Sequence, residues 1–263
     1  MNDDRPMRAP SPLLMALEGR AVIEWASLAL AWPWLGRAPE GDGHPVLVLP
    51  GLIANDTSTW PLRRFLKRQG YVAYPWEEGF NLGPRGRLVE RLQSRLKEIE
   101  RRHKRKASLI GWSLGGAMAR ALAVKLPERV RSVITLGSPL QGHARGTNAW
   151  RVFQLVSGWK ADDPRLAEWM AEHPPVPMTS FMSKTDGVVN WRMSLAPEHP
   201  LAENIEVSAT HLGMGANPAV LWAIADRLAQ PEGQWRPLDR SDPLRALLFR
   251  DPLQPRLADF IAP

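Results

Sequence analysis

Apolar residues recur along this chain in two rhythms. Short aliphatic runs at 45–49, 71–74, 107–110, 132–136, 178–182 and 205–207 have the length and composition of buried strands. Between them, stretches near 57–68, 86–104, 114–125 and 218–228 place apolar residues three or four apart, the spacing that turns one face of a helix toward a core. In the second stretch these are Leu88, Val89, Leu92, Leu96 and Ile99. Continuously apolar strands alternating with helices predict a mostly parallel sheet of about six strands covered on both faces, an α/β three-layer sandwich. In such sheets functional residues collect in the loops beyond the carboxyl ends of the strands.

Three stretches depart from this alternation. Residues 1–40 are read as an N-terminal amphipathic region whose helix, over 13–32, carries Leu14, Leu17, Ala21, Trp25, Leu28 and Trp32 on one stripe and is ended by Pro33. This stripe either packs on the body or, through residues 13–35, meets a membrane surface or a partner. Asp3, Asp4, Glu18, Arg20 and Glu24 spoil it as an export signal or a membrane span, so a cytoplasmic location is expected. Within the body, 41–230, the stretch 143–177 holds Trp150, Phe153, Leu155, Val156, Trp159, Leu166, Trp169 and Met170, too much apolar surface for a bare loop, and predicts a helical cap insertion. The proline-rich tail, 231–263, carries Trp235, Leu247, Leu248, Phe249 and Phe260 and is expected to wrap the body.

Composition narrows the chemistry. With 44% apolar and 23% charged residues, the 263-residue chain belongs among ordered globular proteins. The absence of cysteine excludes a disulfide framework, a cysteine nucleophile, thiolate zinc sites and iron–sulfur ligation. A net charge of +7 invites a nucleic-acid reading. The basic residues crowd, however, at Arg101, Arg102, Lys104, Arg105 and Lys106, where they answer a helix C-terminal dipole, and no aromatic residue interleaves them. No nucleic-acid partner is expected.

The strand at 107–110 runs into Gly111-Trp112-Ser113-Leu114-Gly115, which opens the next helix. A G-x-S-x-G pattern on a tight strand-to-helix turn lifts a serine hydroxyl clear of the sheet, with small neighbours that let the strained backbone pack closely. The competing reading makes Ser113 an ordinary helix cap. A nucleophilic serine needs a histidine to take its proton and a carboxylate to orient that histidine. Of the six histidines, His211 follows the last strand and precedes the last long helix, while His199 lies in a proline-flanked turn. Asp186 follows the strand at 178–182, and its rivals Asp162 and Asp163 lie in the cap. A developing oxyanion needs backbone N–H donors, for which Leu114 and, after Pro50-Gly51, Leu52 are candidates. Leu52, Trp60, Trp112 and Leu140, together with the cap aromatics, predict a hydrophobic acyl pocket.

Through Leu49-Pro50-Gly51-Leu52, Gly111-Trp112-Ser113-Leu114-Gly115, Thr135-Leu136-Gly137-Ser138-Pro139, Ser183-Lys184-Thr185-Asp186-Gly187-Val188-Val189 and Thr210-His211-Leu212-Gly213, residues 44–230 resemble the α/β-hydrolases of the bacterial esterase and lipase group. The resemblance implies a compact α/β-hydrolase fold and cleavage of small-molecule or lipid esters through an acyl-enzyme, with no cofactor and no metal. Ser113 is then the nucleophile, His211 the base, Asp186 the orienting acid, and Leu52 and Leu114 the oxyanion donors. The sequence departs from the group at Pro50, where many relatives have histidine, and at Leu140, where lipases often have histidine. The two early antiparallel strands of larger members are also not apparent. An acyltransferase would use the same triad, and a catalytically silent member would bind a ligand with the same fold.

Overall fold

The computed structural model describes residues 7–166 and 172–254. Its strands are β1 (Pro45–Leu49), β2 (Val72–Tyr74), β3 (Ala107–Trp112), β4 (Val130–Leu136), β5 (Met178–Met182) and β6 (Ala202–Glu206). Its helices are α1 (Pro12–Ala16), α2 (Ala21–Leu35), α3 (Trp60–Arg68), α4 (Leu88–His103), α5 (Leu114–Lys125), α6 (Trp150–Ser157), α7 (Pro218–Leu228) and α8 (Pro243–Leu248). The six strands pair in parallel in the order β2-β1-β3-β4-β5-β6. Side chains alternate across a strand, so β1 sends Val46 and Val48 to one layer, with Leu28, Phe65 and Leu221 of α2, α3 and α7. Leu47 and Leu49 enter the other layer, with Leu92, Leu96, Met118 and Phe153 of α4, α5 and α6. The order reverses between β1 and β3, and it is at such a reversal that loops diverge to leave a crevice.

Three sequence expectations need correction. β6 begins at Ala202, not 205. Its polar start is satisfied from outside the strand: Glu203 accepts from Thr179 Oγ1 (3.0 Å), Arg227 Nη1 (2.9 Å) and the Leu238 amide (2.8 Å). The N-terminal helix is not continuous, because Leu17–Arg20 is a 3-10 turn between α1 and α2. The buried stripe is Glu18, Ala21, Leu28 and Leu35, whereas Leu17 and Trp25 are exposed. Nor does Pro33 end the helix. It sits in the last turn of α2, where the Arg68 guanidinium donates to the Trp32 carbonyl. No helix among the described residues is long and apolar enough to cross a membrane.

The tail covers the β6 edge. Glu206 and Arg250 exchange backbone hydrogen bonds of 2.8 and 3.0 Å in an antiparallel bridge, and buried Phe249 stacks on Trp222 of α7. Occupying an edge strand in this way removes a template for pairing with other chains. Trp169 and Met170 of the cap, and Phe260 of the tail, lie outside the described residues.

Candidate active site

Ser113 stands between β3 and α5 with φ 53° and ψ −124°, a backbone conformation that costs a residue bearing a Cβ about 1–3 kcal/mol. The turn is too tight for larger neighbours: a Cβ on Gly111 would lie 2.2 Å from the Gly115 carbonyl oxygen, and one on Gly115 would lie 2.5 Å from that of Leu49. The Ser113 amide donates to the Leu136 carbonyl (2.8 Å), pinning the turn to β4. The side chain makes no capping bond to α5, which removes the helix-cap reading. Its hydroxyl is left half-buried at the rim of a pocket.

The loops after β5 and β6 bring Asp186 and His211 together. Asp186 Oδ2 is 2.7 Å from His211 Nδ1, while Oδ1 accepts from the amides of Val188 and Val189, each at 2.8 Å. The carboxylate is thereby fixed, and it holds the proton on Nδ1, leaving Nε2 as the basic nitrogen. Burial opposes charging of this fully enclosed ring. The Asp186 carboxylate, by charge and hydrogen bond, and Glu18 behind it outweigh that cost and raise the His211 pKa above its ordinary 6.5. The Trp112 indole donates to the His211 carbonyl (3.0 Å), tying the residue before the serine to the histidine loop. Gly137, at φ 54°, passes so close that a Cβ there would lie 3.0 Å from both Asp186 Oδ2 and His211 Nδ1. His211 Nε2 and Ser113 Oγ make no hydrogen bond among the described residues, and such contacts commonly tighten only around bound substrate.

The rivals are placed elsewhere. Asp163 pairs with Arg165 (2.7 Å) in the cap, and Asp162 lies beside it at an exposed turn. His199 stacks on His173, ring centroids 3.9 Å apart. A second serine–histidine–carboxylate array does occur at the opposite end of the sheet, with His44 Nδ1 2.5 Å from Asp42 Oδ1 and Nε2 2.9 Å from Ser108 Oγ. Ser108 and His44 are wholly buried, so no substrate reaches them. Burial, with Arg131 beside the ring, holds the His44 pKa down at about 4 despite the Asp42 hydrogen bond.

Leu114 is the first residue of α5, so its N–H has no intrahelical acceptor. The Leu52 N–H has none among the described residues, and the loop around it is held by Asn81, a residue the sequence pattern did not single out. Buried Asn81 donates from Nδ2 to the Pro50 carbonyl (2.8 Å), accepts the Ile53 amide at its own carbonyl (2.7 Å) and donates its amide to the Ala54 carbonyl (2.8 Å). Ile53 is held at φ 52°, an uncommon conformation for a β-branched side chain. The second missed residue is Glu18, buried in the N-terminal segment and bonded to both the Asp186 and His211 loops.

Ser113 opens on an apolar pocket of about 80 Å³ lined by Leu52, Leu114, Ala117, Trp150, Phe153 and Met193, among others. Of the residues expected to line it, Leu52 and the cap aromatics Trp150 and Phe153 do. Trp60 instead borders a separate groove against α2, Trp112 is buried with its indole on the His211 loop, and Leu140 is part of the core. Among the described residues no group of three His, Asp or Glu side chains is arranged to hold a metal ion.

The model of the Alpha/beta hydrolase family matches residues 46–258. No curated protein matches the chain in sequence. Among solved structures it is similar to Aspergillus fumigatus lipase B, at 15% identity and a TM-score of 0.56, covering 73% of this chain and 54% of that one. It is also similar to Bacillus licheniformis lipase BlEst2, at 16% identity and a TM-score of 0.55, covering 74% and 95%. The Paleococcus ferrophilus monoacylglycerol lipase is a third, at 15% identity and a TM-score of 0.51, covering 72% and 96%. At these identities the likeness is one of fold.

Proposed function

The chain belongs to the alpha/beta hydrolase family, and on that premise we propose that it is a serine hydrolase that cleaves carboxylic esters of hydrophobic acyl groups. One observation carries this reading: a serine held in a strained turn, unused as a cap, faces an apolar pocket beside a buried histidine–carboxylate pair.

In this reading Ser113 Oγ attacks the ester carbonyl carbon as its proton passes to His211 Nε2. The carbonyl oxygen takes up the negative charge between the N–H groups of Leu52 and Leu114, and Asp186 stabilises the imidazolium. Collapse of the tetrahedral adduct breaks the bond to the alcohol, which leaves with the proton from Nε2. The acyl group stays on Ser113 with its chain among Trp150, Phe153 and Met193. A water molecule then gives its proton to Nε2, attacks the acyl carbon and releases the acid, and the proton returns to Ser113 Oγ. An alcohol in place of that water would make the product a new ester, so analysis of products formed with added alcohol separates hydrolysis from transfer.

The test is a panel of p-nitrophenyl esters of increasing acyl length with wild type and Ser113→Ala. The variant is expected to lose about 10⁴- to 10⁶-fold in kcat. A fluorophosphonate should label Ser113 and block turnover. A folded wild-type protein that neither turns over any ester nor takes the label at Ser113 would overturn the reading in favour of a silent binding protein.

A further inference from the structure

Glu18 lies 168 residues before Asp186, in the 3-10 turn between α1 and α2, and is 3% exposed. Its Oε1 accepts the amides of Gly187 (2.7 Å) and His211 (3.0 Å), and its Oε2 accepts the amide of Leu212 (2.9 Å). One carboxylate therefore bonds the backbone directly after the candidate acid and the backbone at and after the candidate base. Three bonds from amides satisfy most of a buried carboxylate's need for donors, and each is charge-assisted. Such a group is costly to place in a protein interior and has no role in the core layers, which α2 completes with Leu28 and Leu35.

The surrounding contacts are shaped to this clamp. A Cβ on Gly187 would lie 2.3 Å from the Leu14 carbonyl oxygen, so the acid loop closes against the N-terminal segment only because that position is glycine. Asn148 Nδ2 donates to the carbonyls of Pro10 (3.1 Å) and Gly187 (2.7 Å), and Asn190 Nδ2 donates to that of Arg8 (2.7 Å). On the other side, Glu24 Oε1 accepts the Thr210 amide (2.7 Å) and the Trp25 indole donates to the Leu212 carbonyl (3.3 Å). The histidine loop is thus held from the N-terminal segment at Thr210, His211 and Leu212.

We propose that Glu18 is a positioning residue for the reaction: by bonding the backbone of both loops it sets the His211 ring against Asp186 and toward Ser113, making the N-terminal segment a working part of the site. The inference rests on the triad reading above. The ionisable groups facing His211 are Asp186 and Glu18. Glu24, on the same segment as Glu18, bonds the amide of Thr210 next to His211, while Arg20 turns to the Leu17 carbonyl at the surface. Because the Glu18 charge favours the imidazolium, it also acts on the basicity of the ring.

The experiment compares full-length wild type, Glu18→Gln and Glu18→Asp, using p-nitrophenyl butyrate turnover across pH and NMR titration of the His211 ring. Glu18→Gln keeps the size of the side chain but replaces one acceptor by a donor and removes the charge. It is expected to lower kcat about 10- to 100-fold with KM little changed. It should also move both the acid limb of kcat/KM and the His211 titration to lower pH, with Glu18→Asp, which restores the charge, closer to wild type. A folded Glu18→Gln protein with unchanged kcat and an unchanged His211 titration would overturn the proposal, as would a variant that loses only thermal stability. Hydrogen exchange on the wild type needs no variant: the amides of Gly187, His211 and Leu212 should be protected, and exchange as fast as open loops would also overturn it. Failure of the wild type to hydrolyse esters or take the phosphonate would sink the triad reading instead, leaving the titration and exchange measurements to decide the clamp.

Discussion

Ser113 carries its strain for a reason that the neighbouring residues make visible. An ordinary helix start would leave the hydroxyl capping α5, and the positive φ turns it away. Ser113→Gly removes the Cβ that makes this conformation unfavourable, relieving about 1–3 kcal/mol of strain against about 0.5–1 kcal/mol of added unfolded-state entropy. The variant is expected to be inactive yet more stable than wild type by roughly 1 kcal/mol in urea unfolding, whereas Ser113→Ala is inactive without that gain. A Ser113→Gly protein less stable than Ser113→Ala would show that the turn is not strained. In the proposed mechanism His211 sets the pH dependence. A base must be neutral to accept a proton, and its pKa is raised above 6.5, so kcat/KM should fall with decreasing pH through a midpoint above 6.5. An acid limb below that value would contradict the environment that Asp186 and Glu18 create.

The elements contribute unequally to the site. The loops after β1, β3, β5 and β6 supply the candidate groups, while the end of β4 contributes the close passage at Gly137 and α6 lines the apolar pocket with Trp150 and Phe153. Edge strand β6 has a polar sequence and depends on α7 and the tail, which meet it through the buried Glu203–Arg227 pair. A buried ion pair adds little net stability over apolar groups of the same shape, but removing one partner strands the other charge. Arg227→Met is therefore expected to destabilise the fold by about 3–5 kcal/mol, with the double variant carrying Glu203→Gln less affected. Urea denaturation of the single and double variants measures this. The folded fraction should keep its kcat, because neither side chain reaches the site. Equal losses in the single and double variants would remove the argument.

Across the whole molecule, the two ends of the sheet carry similar side chains, but only at the carboxyl end does the serine open on a pocket. At the carboxyl end the histidine–carboxylate pair lies beside the serine pocket. At the amino end, buried His44 and Ser108 form a polar plug that Arg131 and the exposed Asp42 carboxylate cover. The plug makes stability pH-dependent. Unfolded His44 takes up a proton near pH 6.5, and the folded protein resists doing so down to about 4, so the unfolded chain binds more protons between these values. Its contribution is complete above pH 6.5 and is lost as pH falls toward 4. The raised pKa of His211 has the opposite sign, adding stability at low pH that is lost as pH rises through its folded value. Wild type and His44→Gln compared by urea unfolding from pH 7 to 4.5 isolate the first effect. The wild type should lose stability more steeply over that window, and parallel curves would mean that the plug is charged or open.

Much of this was legible from the residues in order. Strand and helix periods follow from which side chains face a core, and the six-strand parallel sheet emerged from them. The small residues around Ser113 announce a tight turn because only glycine tolerates backbone at the 2.2–2.5 Å that a Cβ would meet there. Chain order also placed Asp186 and His211 at strand ends. Periodicity tells a residue which face it is on but not what lies across from it. Glu18, four residues after Leu14 and three before Ala21, sits on the buried stripe, yet read along the chain it was an interruption; its partners lie 169 to 194 positions away. The same limit placed Trp60, Trp112 and Leu140 in a pocket that Ala117 and Met193 line in their stead. Local sequence determined the layers and the turn that lifts the serine. Only the packed chain decided which distant backbone amides a buried carboxylate would gather, because that choice is made by neighbours in space.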